Sequence, residues 1–142
     1  MPYVTLQQLI DRYGEPTLVQ LTDRGDHPLG VVNEAAIDRA IADADAVIDG
    51  YLVRKYALPL TEAQPLLVKI AGSLVFHDLH TFQPDEKIVA DQKLAMAMLR
   101  DIAQGVVALT AAGVEAANVG GSGARITDRD RQLTQDNMTG FI

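Results

Sequence analysis

The pattern of apolar and polar positions predicts helices along most of the chain. Apolar residues recur at steps of three and four, which places them on one side of an α-helix. The longest run comprises Ile37, Ile41, Ala44, Ile48 and Leu52, and aspartates take the other side. Asn33 is a favourable N-cap for this helix, and the spacing extends the helix to about Tyr56.

A short helix is predicted near the N-terminus. Thr5 and Gln8 have the spacing of a capping box, in which the side chain of each residue accepts a hydrogen bond from the backbone N–H of the other. Gly14 and Pro16 are end signals for the helix that this box begins. A further short turn is predicted over residues 17–21, before a loop rich in turn-forming residues.

Two more helices follow the long one. Residues 62–81 are apolar almost all round the helix axis, which indicates either the centre of a bundle or a helix covered by other subunits. Pro84 suits the first turn of a last helix over residues 85–110, and Gly105 is expected to weaken that helix without ending it. The predicted fold class is all-α, a small bundle of two long helices and two or more shorter ones.

The last part of the chain differs in composition from the rest. Residues 114–142 are rich in glycine, then polar, and finish on the apolar side chains of Met138, Phe141 and Ile142. We therefore predict a helical domain over residues 1–113 and an extended, flexible C-terminal arm over 114–142, with a tip that docks on a neighbour. The alternative is ordinary terminal disorder.

Composition narrows the classes of function. The formal net charge is −7, whereas sequence-independent binding to nucleic-acid phosphates needs a cationic surface. We therefore do not expect simple nucleic-acid binding. The chain has no cysteine, so we expect neither a disulfide nor a thiolate metal site. It has no apolar run long enough for a membrane span, and no signal peptide is visible at its N-terminus.

One group of residues suggests chemistry. His77 and Asp78, with His27 before them and aspartates after them, have the order found in metal-dependent phosphohydrolases, in which imidazoles and carboxylates hold an ion that activates water. His27 lies in a predicted loop, however, and His77 and His80 are equally well explained as an exposed helix edge. We expect no catalytic residue, metal or cofactor, and keep the phosphohydrolase as the alternative.

Residues 48–60, IDGYLVRKYALPL, concentrate tyrosine and positive charge at one predicted helix end. Arg54 and Lys55 are expected in the last helical turn, where the helix dipole favours cations. Pro59 prevents the helix from continuing.

These motifs resemble the Mu-like phage and prophage head–tail connector family. The resemblance spans most of the chain, from about Met1 to Ile142, and is carried by LTDR (21–24), residues 40–60, IAQGVVAL (102–109) and the terminal LTQDNMTGFI. Its most specific piece is IDGYL at 48–52, followed by Arg54, Tyr56 and Leu58-Pro59-Leu60. The chain departs from the family in the segment FHDLHTFQPDEK, where relatives often have more aromatic residues.

The resemblance implies a structural protein and not an enzyme. Connectors of this family are helical subunits that form a ring, usually dodecameric, beneath the portal protein, where they extend the DNA channel. The implied partners are the portal, neighbouring copies of the chain and a downstream connector or tail protein, with DNA passing through without specific binding. The implied location is the head–tail junction of the virion, after assembly in the bacterial cytoplasm. A soluble acidic adaptor unrelated to phage is a further alternative.

The resemblance also gives candidate interface residues. They are Tyr51, Arg54, Tyr56, Leu58, Pro59, Leu60, Arg125, Met138, Phe141 and Ile142. We expect the two tyrosines to fix the helix end to the core, and Arg54 to meet acidic groups of the adjacent subunit. The ring would be heterologous, with one face of a subunit meeting a different face of the next.

Overall fold

The computed structural model describes residues 1–109, which form five helices and contain no strand. The helices are α1 (Leu6–Tyr13), α2 (Glu15–Thr22), α3 (Glu34–Leu52), α4 (Pro65–Asp78) and α5 (Glu86–Gln104). The two longest, α3 and α5, each have 19 residues. The predicted all-α class is confirmed. The boundary predicted at residue 113 lies outside the described residues.

Local capping signals begin the first and third helices as predicted. The Thr5 hydroxyl accepts a hydrogen bond from the Gln8 backbone N–H at 3.4 Å, and the Gln8 side chain accepts from the Thr5 N–H at 2.9 Å. The Asn33 side chain accepts from the Ala36 N–H at 3.2 Å at the start of α3. These interactions span three residues, so sequence spacing alone locates them.

The second helix is longer than the predicted turn. Gly14 has a φ of 86°, which turns the chain sharply after α1. Pro16 then stands in the first turn of α2, where its missing N–H would have no helical partner in any case. Helix α1 ends at Tyr13 as predicted, and Pro16, two residues beyond its C-cap Gly14, also serves as a start signal for α2.

The core lies between α3, α4 and α5. Helix α4 packs against both long helices, and α3 and α5 also contact each other. Its side chains Leu67, Ile70 and Val75 have almost no exposed surface. Of the two predicted explanations for its all-round apolar character, burial at the centre of this chain's own bundle accounts for most of it.

The N-terminal helices cover one side of this bundle. Leu9 from α1 and Leu18 from α2 are fully buried in the common core. The ring of Tyr13 stacks on that of Phe76, with centroids 3.9 Å apart and an interplanar angle of 3°, which attaches the end of α1 to α4. Thr22 joins α2 to α3, since its buried hydroxyl donates to the Leu18 carbonyl and accepts from the Asn33 N–H.

Both long helices end earlier than predicted. Helix α3 stops at Leu52, four residues before the expected Tyr56. Helix α5 stops at Gln104, because Gly105 adopts the left-handed conformation with a φ of 82°. The N–H of Val106 returns to the Asp101 carbonyl at 2.9 Å, as in a Schellman motif. Helix α4 is also shorter than the predicted 62–81, since Pro65 starts it and Asp78 ends it.

Candidate docking surfaces

The turn after α3 packs against the segment that follows α5. Tyr56 is 5% exposed, and its hydroxyl accepts a hydrogen bond from the Leu109 backbone N–H at 3.1 Å. Tyr56 lies four residues beyond the end of α3, and its backbone N–H donates to the Leu52 carbonyl at 2.9 Å. We call Lys55, Tyr56, Gly105 and Leu109 the Tyr56 joint.

The two cations of this turn have different positions. Arg54 is exposed, as an interface residue would be, but it follows α3 and is not part of the last helical turn. The Lys55 ammonium lies directly against Gly105, at the C-terminal end of α5. The predicted cation–dipole interaction is therefore wrong for α3. Lys55 occupies the equivalent position at the end of a different helix.

The predicted Leu58-Pro59-Leu60 segment lines a cleft of about 340 Å³. Residues 1–3, Asp49 and residues 62–64 form the rest of its wall. Leu58 and Leu60 are partly buried against the core, whereas Pro59 is exposed. Gln64 is 6% exposed, and its side-chain nitrogen has no hydrogen-bond partner among the described residues.

Tyr3 attaches the N-terminal segment to α3 beside this cleft. Its backbone N–H donates to the Asp45 carboxylate at 3.1 Å, and its hydroxyl donates to the Asp49 carboxylate at 2.5 Å. Burial, reinforced by Asp49, raises the pKa of the Tyr3 phenol above its ordinary range. Burial also raises the pKa of Asp45, although the hydrogen bond from Tyr3 partly opposes this change. Asp45 and Asp49 thus hold Tyr3 within the chain, and we call these three residues the Tyr3 anchor.

A second cleft, which the sequence analysis did not identify, lies between α1, α4 and α5. Its volume is about 280 Å³, and three cationic side chains line it, namely Arg12 from α1, Lys69 from α4 and Lys87 from α5. Asp91 supplies one carboxylate, and Leu94 contributes an apolar side chain that is half exposed. We call this site the cationic cleft. No local motif could have shown it, because its residues come from three separate helices.

The charges of the cationic cleft are not neutralised within the described chain. Over residues 1–109, neither Arg12, Lys69 nor Lys87 forms an ion pair. The Arg12 guanidinium lies 5.7 Å from the centre of the Tyr13 ring. Burial raises the pKa of the Tyr13 phenol. The cleft therefore favours a partner that carries carboxylates.

The residues of the alternative metal site are arranged differently. The His77 ring nitrogen lies 3.3 Å from the Asp78 carboxylate, and both side chains are substantially exposed. Within residues 1–109, no group of three or more His, Cys, Asp or Glu side chains is placed to hold a metal ion. His80 bonds to the Phe76 carbonyl at 2.7 Å. Nothing in the described chain adds a third ligand to His77 and Asp78.

The remaining predicted interface residues are Tyr51 and four residues near the C-terminus. Tyr51 is partly buried against the core. Arg125, Met138, Phe141 and Ile142 lie outside the described residues. None of the helices in the part of the chain that the structure describes is long and apolar enough to cross a membrane.

The described chain is therefore a helical body with open clefts, of a kind that suits docking. Comparisons with known proteins place it among phage proteins. The model of the family "Bacteriophage Mu, Gp36" matches residues 3–127. Gene product J of Escherichia phage Mu is 34% identical over 105 residues, which cover 74% of each chain. The chain belongs to the Bacteriophage Mu Gp36 family. The predicted membership of a Mu-like phage family is confirmed.

Proposed function

We propose that this chain is a head–tail connector subunit, which forms a ring beneath the portal protein and joins the phage head to its tail. Family membership across residues 3–127 carries the proposal, together with the connector-like motif at residues 48–60. In this role the protein extends the DNA channel and performs no catalysis. Its partners are the portal, neighbouring copies in a ring and a downstream connector or tail protein.

The architecture supports a role as a preformed building block. The three-helix core is buried within one chain, so a subunit does not need its neighbours to complete α4. The Leu58-Pro59-Leu60 cleft and the cationic cleft remain open on its surface. A subunit of this kind supports assembly by docking of folded bodies, as a ring requires.

The charge of the chain supports passage of DNA without binding. A formal net charge of −7 gives repulsion between the ring and the phosphate backbone. This repulsion prevents DNA from binding tightly at any position along the channel. The exposed Arg54 remains a candidate contact to acidic groups of an adjacent subunit. Arg125, Met138, Phe141 and Ile142 remain candidates for docking of the C-terminal arm on a neighbour or the portal.

Reconstitution with the portal protein of the same phage tests the proposal. The full chain is expected to co-purify with the portal and to add a ring that is visible by electron microscopy. A version that ends at Gly113 tests the arm, and loss of the ring in this version would mean that the arm contributes to the contact between ring and portal. If neither version binds the portal, the connector function is wrong.

A charge reversal at Arg54 tests the predicted subunit contact. Arg54→Glu is expected to reduce ring formation, whereas Arg100→Glu is a matched control on an exposed side chain of α5 that lines neither cleft. Normal folding and normal rings in the Arg54 variant would remove this residue from the interface.

A further inference from the structure

The cationic cleft has three positive charges and one carboxylate, that of Asp91, in a chain that is otherwise acidic. Arg12, Lys69 and Lys87 converge on it from three helices, and within residues 1–109 they form no ion pair. Like charges held together repel one another, so this arrangement disfavours the free subunit slightly. A carboxylate-bearing partner would relieve the repulsion and gain charge-assisted hydrogen bonds.

The apolar lining further limits the shape of the partner. The half-exposed Leu94 and the partly buried Met98 lie along the wall that α5 contributes. A cleft of about 280 Å³ accepts a few side chains and not a whole helix. A suitable partner presents carboxylates on either side of small side chains, so that its backbone approaches these apolar groups closely.

The outer face of α3 has these properties. Asp38 and Asp43 are exposed on the side of α3 that points away from the core, Arg39 and Ala42 lie between them, and Ala46 lies one turn beyond Ala42. Arg39 is also on this face, and its side chain donates to the Ala35 carbonyl of the same helix at 3.1 Å. Asp38 and Asp43 lie apart from the Tyr3 anchor, which uses Asp45 and Asp49 instead.

We propose that the cationic cleft of one subunit receives the outer face of α3 from a second copy of this chain. This inference rests on the proposed ring, for which it supplies the two faces of the subunit contact. The two faces belong to different parts of the subunit surface, as a heterologous contact that repeats from one subunit to the next requires. Lys69 and Lys87 meet the carboxylates of Asp38 and Asp43, and Leu94 packs against Ala42 and Ala46.

Zero-length cross-linking tests the contact directly. A carbodiimide joins a lysine amine to a carboxylate only where the two groups touch. Full-length chains labelled with ¹⁵N are mixed with unlabelled chains, with and without the portal, so that mixed-label peptides identify links between copies. We expect mixed-label links from Lys69 or Lys87 to Asp38 or Asp43. Their absence, or links from these lysines to portal carboxylates or to residues 110–142, would overturn the proposal.

Charge swapping provides the matched control. K69E/K87E reverses the cleft and D38K/D43K reverses the α3 face, and each is expected to lower ring yield at least about tenfold, because like charges then face each other. An equimolar mixture of the two variants restores the ring, since every contact is again complementary. K93E/R100E changes net charge as much as the cleft variant does, at exposed positions of α5 outside the cleft, and should retain ring formation.

The outcomes separate this inference from the proposed function. Rings that form normally with K69E/K87E would disprove the contact and leave the connector function intact. Loss of the ring with K69E/K87E but not with D38K/D43K would mean that another acidic group occupies the cleft. Circular dichroism of each variant confirms that the helices are retained. A wild-type chain that never binds the portal would instead disprove the connector function.

Discussion

The Tyr56 joint and the cationic cleft are both built from residues that lie far apart in sequence, but they treat polar groups in opposite ways. In the joint, the Tyr56 hydroxyl is bonded to the Leu109 N–H, and the Lys55 ammonium lies against the end of α5. In the cleft, Lys69 and Lys87 form no ion pair within the described chain. The joint satisfies its polar groups internally, whereas the lysines of the cleft remain without an ion pair in the described chain.

This difference separates residues that maintain the fold from residues that are free to bind. The most specific sequence motif, at residues 48–60, contains both kinds. Tyr56 is buried and acts within the subunit, whereas Arg54 and Pro59 are exposed. Burial and internal bonding therefore decide which members of a recognisable motif are available to another protein.

The largest expected effect is the loss of the Tyr56 ring. Tyr56→Ala leaves a cavity between α3 and the segment after α5, and we expect it to cost about 3–5 kcal/mol of unfolding free energy. Chemical denaturation followed by circular dichroism measures this cost. A change below about 1 kcal/mol would show that the joint does not stabilise the subunit.

Removal of the hydroxyl alone isolates the hydrogen bond of the joint. Tyr56→Phe retains the ring but leaves the buried Leu109 N–H without its partner, at an expected cost of about 1–3 kcal/mol. The same denaturation experiment applies, with Tyr51→Phe as the matched control at a partly buried tyrosine. Equal effects of the two substitutions would contradict the assigned role of the hydroxyl.

Gly105 and Gly50 form a matched pair for testing the end of α5. Gly105→Ala is expected to destabilise by about 1–2 kcal/mol, because its φ is left-handed and the new methyl group meets Lys55. Gly50→Ala, in the last turns of α3 with open space around it, should stabilise by roughly 0.5–1 kcal/mol. Thermal melting of both variants shows whether the two signs are opposite, as the backbone requires.

Asp45 provides a pH-dependent test of a charge that is bonded within the chain. Its pKa is raised in the folded state by burial, so folding favours its protonated form and this contribution is lost as pH rises through that pKa. Asp45→Asn keeps an acceptor for the Tyr3 N–H. It should therefore be more stable than the wild type at neutral pH, by less than about 1 kcal/mol after allowance for solvent screening.

The advantage of Asp45→Asn should disappear when the pH falls below the ordinary range of a carboxyl group, near pH 3. Denaturation curves at acidic and neutral pH measure the difference. Asp43→Asn is the control, since that carboxylate is exposed and takes no part in the Tyr3 anchor. An equal advantage at both pH values would show that charge is not the cause.

The smallest effect on stability is expected in the cationic cleft. K69E/K87E changes exposed side chains without internal ion pairs, so the unfolding free energy should change by no more than about 0.5 kcal/mol. The same variant is expected to lose ring formation. A large loss of stability would instead show that the cleft, like the joint, serves the fold.

Much of the helical architecture could be predicted because its signals are local. The Thr5–Gln8 capping box and the Asn33 cap join groups three residues apart, and the apolar spacing of α3 repeats within each turn. The helix ends were less predictable. Tyr56, four residues beyond the end of α3, is buried against Leu109, which is 53 residues away, and local periodicity carries no information about that contact.

The sequence by itself determined the helical class, the starts of the capped helices α1 and α3, the acidic character and the family resemblance, since each depends on residue type and short spacing. The tertiary structure alone decided which residues of the 48–60 motif are buried, and that Arg12, Lys69 and Lys87 share a cleft. The physical reason is the packing of α4 between α3 and α5, with α1 stacked on it through Tyr13 and Phe76. This packing brings together side chains from helices that no local interaction connects.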